Sequence, residues 1–122
     1  MRKKAIGFDA VRKAGRTLPG VEESTAYGSP ALKVGGRLFA CIAINKAAEP
    51  DSLMVRMSFE DRDALIAEQP AVYYLADHYA PYPCVLVRLS RVDTAALRDL
   101  LMMGWQFVSA QKKRPSRARR RV

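Results

Sequence analysis

Residues that carry chemistry are scarce in this chain. It has one histidine and two cysteines among 122 residues, which leaves little from which to build a metal site or a nucleophile with its base. Cys41 and Cys84 both sit in apolar runs, where cysteine behaves as a small buried hydrophobe, and nothing points to an oxidising compartment that would pair them. His78 lies between Asp77 and Tyr79. Neighbours on an extended segment point to opposite sides, so Asp77 is badly placed to orient the imidazole. No GxGxxG or Walker pattern leads a strand into a helix, and Gly28, Gly35 and Gly36 read as turn residues. Glu60, Asp61 and Asp63 crowd one helix start and form no spaced acid/base pair. The expectation is a protein that is not an enzyme, holds no metal and needs no cofactor.

Long hydrophobic runs are missing too. No stretch approaches the roughly 20 apolar residues of a membrane span. Arg2, Lys3 and Lys4 mimic the start of a signal peptide, but Asp9 and Arg12 interrupt the apolar segment that should follow. A cytoplasmic, reduced monomer with no membrane partner is expected. Apolar residues make up 49% and charged residues 27% of the sequence, the balance of a soluble globular domain, and the length suits one domain with a core of its own.

Acidic residues are absent from both ends, and this changes the meaning of the net charge of +9. Arg2, Lys3 and Lys4 contribute +3, and Lys112, Lys113, Arg114, Arg117, Arg119, Arg120 and Arg121 contribute +7. Residues 5–111 hold eleven Lys or Arg against all twelve Asp or Glu, a net of −1. The body is nearly neutral, so a strongly basic groove requires charges segregated on one face.

The sequence from 27 to 44, YGSPALKVGGRLFACIAI, reads as two strands folded back on each other at Gly35-Gly36, a two-residue loop that supplies the positive φ angles of a tight hairpin. Strict alternation in its second strand puts Leu38, Ala40, Ile42 and Ile44 on one side and Phe39, Cys41 and Ala43 on the other. Both faces are apolar, which places that strand near the middle of a sheet. Before it, residues 8–17 read as a short amphipathic helix ended by Pro19-Gly20, Glu22 and Glu23 as a polar connection, and residues 24–27 as a short strand. After it come a strand around Leu53, Val55 and Met57 and a helix capped by Ser58 and stopped by Pro70. A short strand at 72–75, a proline-rich stretch and a strand at 84–89 follow. A last helix, capped by Asp93 or Thr94, carries Leu97, Leu100, Leu101, Gly104, Trp105 and Val108 at helical spacing. From about Ser109 the apolar residues stop. The fold class is α+β, an antiparallel sheet with N- and C-terminal helices on one face. The domain occupies residues 1–110, and 111–122 form a disordered basic tail.

Three segments, LPGVEESTAYGSPALKVGGRLFA (18–40), DHYAPYPCVLVRLSRVD (77–93) and LRDLLMMGWQFVSAQKK (97–113), together resemble the MmcQ/YjbR family of small bacterial proteins. The resemblance implies a frataxin-like (CyaY-like) two-layer sandwich and a double-wing DNA-binding arrangement, a label that itself rests on shape. Cys84 departs from the family pattern, standing where many relatives carry a tryptophan after the Tyr-Pro pair.

Nucleic acid is the expected partner. Lys112, Lys113, Arg114, Arg117, Arg119, Arg120 and Arg121 would neutralise phosphates, with Lys33 and Arg37 at the hairpin tip as a wing contribution. Such binding is weak and largely without sequence preference, because phosphate contacts carry no base information. The alternative is a protein or small-ligand interaction module that uses the sheet face or the loop containing Tyr79 and Tyr82. Tyr73, Tyr74, Tyr79 and Tyr82 could stack on bases, but packing into the sheet edge is the plainer use.

Overall fold

A computed structural model describes the backbone of residues 7–118 except Tyr27, and the side chains of that span as far as Ala110. The elements run α1 (Phe8–Gly15), β1 (Val21–Ala26), β2 (Ser29–Val34), β3 (Arg37–Ile42), β4 (Ser52–Arg56), α2 (Phe59–Glu68), β5 (Tyr73–Tyr74), β6 (Cys84–Arg88) and α3 (Thr94–Ala118). The strands form one six-stranded antiparallel sheet in the order β1-β2-β3-β4-β6-β5. This is the expected α+β class. The disordered tail expected at 111–122 lies outside the described residues, for its side chains throughout and for its backbone from 119 on.

The glycine hairpin forms as read. Gly35 and Gly36 take φ of 59° and 77°, as a two-residue turn between twisted strands requires. β3 lies third in the sheet and β4 fourth, so the strand with two apolar faces is central.

The two faces of β3 do not follow strict alternation. Leu32 pairs with Ala40 whereas Lys33 pairs with Leu38, which leaves Phe39 without a partner on β2. One extra residue in a strand is a β-bulge, and it shifts the side-chain alternation by one position. Phe39 therefore joins Ala40 and Ile42 in the core beneath the helices, while Leu38, Cys41 and Ala43 belong to the opposite face. The expected partition of this strand is corrected accordingly.

The connection expected at Glu22 and Glu23 is instead strand. β1 begins at Val21, and Glu22 and Glu23 pair with Lys33 and Leu32. An edge strand tolerates acidic residues, since it is solvated along its length. Glu23 has a further role, because its carboxylate accepts hydrogen bonds from Arg12 Nε and Arg16 Nε, both at 3.0 Å, tying the edge strand to α1.

One face of the sheet is closed. Leu97, Leu100, Leu101 and Val108 of α3 are buried there with Val11 of α1 and with Leu32, Phe39, Leu53, Val55, Val85 and Val87 of the strands. Gly104 sets how closely α3 approaches. A Cβ at that position would stand 3.0 Å from Val55 Cγ1 and 3.2 Å from the Arg56 carbonyl oxygen. Trp105 Nε1 donates to the Pro19 carbonyl at 2.9 Å, fixing α3 against the turn after α1. Both internal helix starts are capped, with Ser58 Oγ accepting from the Asp61 amide at 3.0 Å and Asp93 Oδ1 from the Ala96 amide at 2.8 Å. Each satisfies an orphan donor of the first turn. α2 lies at the β5–β6 side and packs Leu65 and Ile66 on the same core.

Candidate functional site

Among the described residues no helix covers the other face of the sheet. Its centre is made of small and sulfur-bearing side chains, Ala31, Cys41, Met54, Cys84 and Leu86. Two loops rise beside them, and between the loops runs a groove of about 620 Å³. That volume falls in the range of small-molecule sites, about 300–1,000 Å³. The bulge in β3 is what turns Leu38 and Cys41 into the groove floor, beside Met54 and Arg56 of β4 and Cys84 of β6.

The first wall is the segment between β5 and β6, which presents His78, Tyr79, Tyr82 and Pro83. It is held from behind by Arg62, a buried side chain of α2 whose Nη1 donates to the carbonyls of Ala80 (3.0 Å) and Tyr82 (3.3 Å). Within it the Tyr79 amide donates to Ala76 and the Tyr82 amide to Tyr79, and the Met57 amide donates to the Pro83 carbonyl at 3.0 Å. Backbone groups of a proline-rich loop are thus satisfied without a ladder.

The opposite wall is the segment after β3, which contributes Ala43, Ile44 and Asn45. Asn45 Oδ1 accepts from the Ala47 amide at 2.8 Å, an Asx turn that closes the loop on itself. Farther on, the Glu49 carboxylate accepts two hydrogen bonds from Arg88, Nε and Nη2 each at 2.8 Å. The Arg88 guanidinium also lies 4.3 Å from the Tyr74 ring centroid, while the Tyr74 hydroxyl accepts from the Glu49 amide at 2.7 Å and bonds Ser52 Oγ. The hydrogen bond from Arg88 holds the Glu49 carboxyl below its ordinary pKa. Both walls are therefore in place before any ligand arrives.

Among the described residues the groove lining holds one permanent charge, that of Arg56, beside the imidazole of His78, and no aspartate or glutamate. Arg56 Nε is buried and has no hydrogen-bond partner among the described residues, a state that costs about 1–3 kcal/mol for a buried donor. Its guanidinium carbon sits 5.8 Å from the Phe107 ring centroid of α3, near the outer limit of a cation–π contact.

Two thiols lie in the groove floor. Burial pushes both Cys41 and Cys84 up to about 11, so each is protonated at neutral pH. They are free, with β4 standing between their strands. Strands about 4.8 Å apart leave these Cα atoms on the order of 10 Å apart, too far for a disulfide. His78 is exposed and meets Tyr79 edge-on, ring centroids 5.0 Å apart. Among the described residues no group of three or more His, Cys, Asp or Glu could hold a metal ion, and no helix is long and apolar enough to cross a membrane.

The site residues expected from sequence fall elsewhere. Lys33 pairs with Glu22 on one side and Leu38 on the other, so its charge stands beside an acid. Arg37 is exposed and pairs with Val34, which packs against the helix-side core. Lys112, Lys113, Arg114, Arg117, Arg119, Arg120 and Arg121 lie outside the described side chains. Arg56, Ile44 and Met54 were not marked by any motif. The available signal was an arginine ending the otherwise apolar Leu53-Met54-Val55 run. The tyrosines divide: Tyr73 is core, Tyr74 and Tyr79 are half-buried, and Tyr82 is exposed at the groove rim.

Comparison with known proteins agrees with this architecture. The crystal structure of Deinococcus radiodurans protein DR2400, which carries a DUF419 domain, superimposes with a TM-score of 0.70 at 22% identity, covering 89% of this chain and 83% of that one. That likeness is one of fold. Uncharacterized proteins Rv2570 of Mycobacterium tuberculosis and Mb2600 of Mycobacterium bovis are each 41% identical over 56 residues, 45% of this chain and 43% of theirs. The match thus spans less than half the length of those curated relatives. The YjbR family model matches residues 16–107, a span that contains the whole sheet, both groove walls and the buried Leu97, Leu100 and Leu101 of α3; the chain belongs to the YjbR family.

Proposed function

We propose that this protein is a binding module, without catalytic chemistry of its own, that takes a small and largely apolar ligand in the groove on the helix-free face of the sheet. The observation that carries this reading is the groove itself, about 620 Å³ between two walls that are already hydrogen-bonded in place. Preformed walls lower the ordering cost of binding. The exposed Ile44 and Tyr82 stand at its rims, where aromatic and aliphatic side chains anchor ligands.

The test uses the full chain and a neutral fluorescent probe, N-phenyl-1-naphthylamine. Saturable fluorescence enhancement is expected, with affinity at least tenfold weaker in Ala43→Trp, which fills the groove from one wall. A folded protein that gives no enhancement, or one whose affinity Ala43→Trp leaves unchanged, overturns the reading.

A second reading, weak nucleic-acid binding, is favoured by the seven cations between 112 and 121. Seven phosphate contacts give a logarithmic salt slope of roughly −6 on duplex DNA. Replacing those seven with glutamine in the full chain should abolish binding to a short duplex at low salt. Unchanged affinity and slope would remove the tail from the reading, and Lys33→Ala with Arg37→Ala would then test the hairpin in the same assay.

A further inference from the structure

The groove carries more information than its volume. Among the described residues Arg56 is the one lysine or arginine in its lining, and no carboxylate lines the groove to balance it. Lys33 of β2 is paired across the sheet from Glu22. Around Arg56 the floor is Leu38, Met54 and Cys84, a low-dielectric setting in which a charge interacts strongly with an opposite one. Arg56 Nε has no acceptor among the described residues. The two terminal nitrogens of a guanidinium form an edge that a carboxylate meets with two parallel hydrogen bonds. One such edge, with no glycine-rich loop in the lining, suits a single anionic group rather than a polyphosphate. The rest of the cleft, with Tyr79, Tyr82 and Pro83 on one side and Ala43 and Ile44 on the other, suits a flat apolar body.

We propose that the ligand of this groove is a carboxylic acid on a flat, apolar ring system, and that Arg56 anchors its carboxylate. The proposal rests on the groove reading above and adds the chemical class of the ligand and the residue that selects it. A carboxylate would pair with the Arg56 guanidinium, and a neutral analogue of equal shape would forgo that pairing.

The experiment compares naphthalene-2-carboxylate with 2-naphthamide, two probes of nearly the same shape that differ in charge. Each displaces N-phenyl-1-naphthylamine from the full-length protein. The carboxylate is expected to bind at least tenfold more tightly than the amide. In Arg56→Gln that ratio should collapse to within about twofold, and in Arg56→Lys it should be partly restored. The wild-type ratio needs no variant and so does not depend on how Arg56→Gln folds. If the neutral probe binds but the carboxylate shows no tenfold advantage, or fails to displace it, the anchor proposal is wrong and the groove reading stands. If the neutral probe itself does not bind, the groove reading fails and this inference fails with it.

Discussion

The two faces of the sheet are built from the same strands and do different work. On the helix side, Leu, Val and Phe side chains interdigitate beneath α1 and α3 and are almost entirely buried. On the other side the floor is alanine, cysteine and methionine, covered in part by two loops that are pinned at their backs rather than packed on top. The division runs through single strands: Val55 and Val85 point into the core while their neighbours Arg56 and Cys84 line the groove. Stability is concentrated on one face, so the other can keep a cleft and an unpaired arginine without unfolding the domain.

Truncation of a core side chain is the strongest test of that division. Leu101→Ala removes a fully buried side chain of α3 and should cost about 3 kcal/mol, read as a lowered urea midpoint with unchanged slope. Leu38→Ala, on the half-buried groove side, should cost about 1 kcal/mol, because less area leaves water and the open cleft lets the site relax. Equal costs would break the comparison.

Mildly alkaline pH reads first the two thiols of the groove side. Both thiols are pushed up to about 11 from an ordinary value of 9.0 by burial. Between pH 9 and about 11 the unfolded chain releases these protons while the folded chain retains them, so the folded state binds more protons and stability falls as pH rises. The loss by pH 10 should be about 1 kcal/mol for each thiol. Tyr73 and Tyr79, both raised by burial, act in the same direction at higher pH. In a Cys41→Ala, Cys84→Ala double variant the decline from pH 8 to pH 10 should shrink to a small remainder. A slope that survives both substitutions would assign the effect to other groups.

Gly104 tests how tightly the helix side is closed. Alanine gains up to about 1 kcal/mol of helix propensity over glycine. Its Cβ, however, would press on Val55 and on the Arg56 carbonyl at 3.2 Å, and overpacking costs roughly 1–3 kcal/mol. A backbone oxygen in a central strand cannot retreat, so Gly104→Ala should lower stability by about 1 kcal/mol net. A raised thermal midpoint would show that α3 has slack.

Much of the helix side was legible in the sequence. The α3 stripe, the Ser58 cap and the Gly35-Gly36 turn are local signals, each set by residues within a few positions. The groove was less legible for three physical reasons. A bulge at Phe39 depends on how β2 pairs with β3, which no alternation within β3 encodes. The walls come from segments 43–51 and 75–83, each held by a long-range contact, the first by Arg88 on Glu49 and the second by Arg62 on the Ala80 and Tyr82 carbonyls. Arg56 acquires its meaning from burial, which a charge count along the chain cannot register; the same count drew attention to Lys33, whose neighbour Glu22 is visible only across the sheet. β1 was missed at its start because edge strands carry acidic residues that read as a loop.

Tyr74→Phe is the smallest and most local of these changes. It deletes a hydroxyl that accepts from the Glu49 amide and bonds the buried Ser52 Oγ, leaving the ring and its contact with Arg88 in place. The expected cost is about 1 kcal/mol. Where that cost falls is the sharper question. The Glu49 amide loses its only named acceptor and lies in an exposed loop, so its hydrogen exchange should accelerate at least tenfold through local opening. The Val55 amide, in a central strand, should change only by the factor that the global destabilisation sets. If both amides accelerate equally, the groove wall and the core open as one unit, and the two faces are not separate in stability. If only the wall responds, a ligand that bridges the walls can be felt in the loop at 45–51 without any rearrangement beneath the helices.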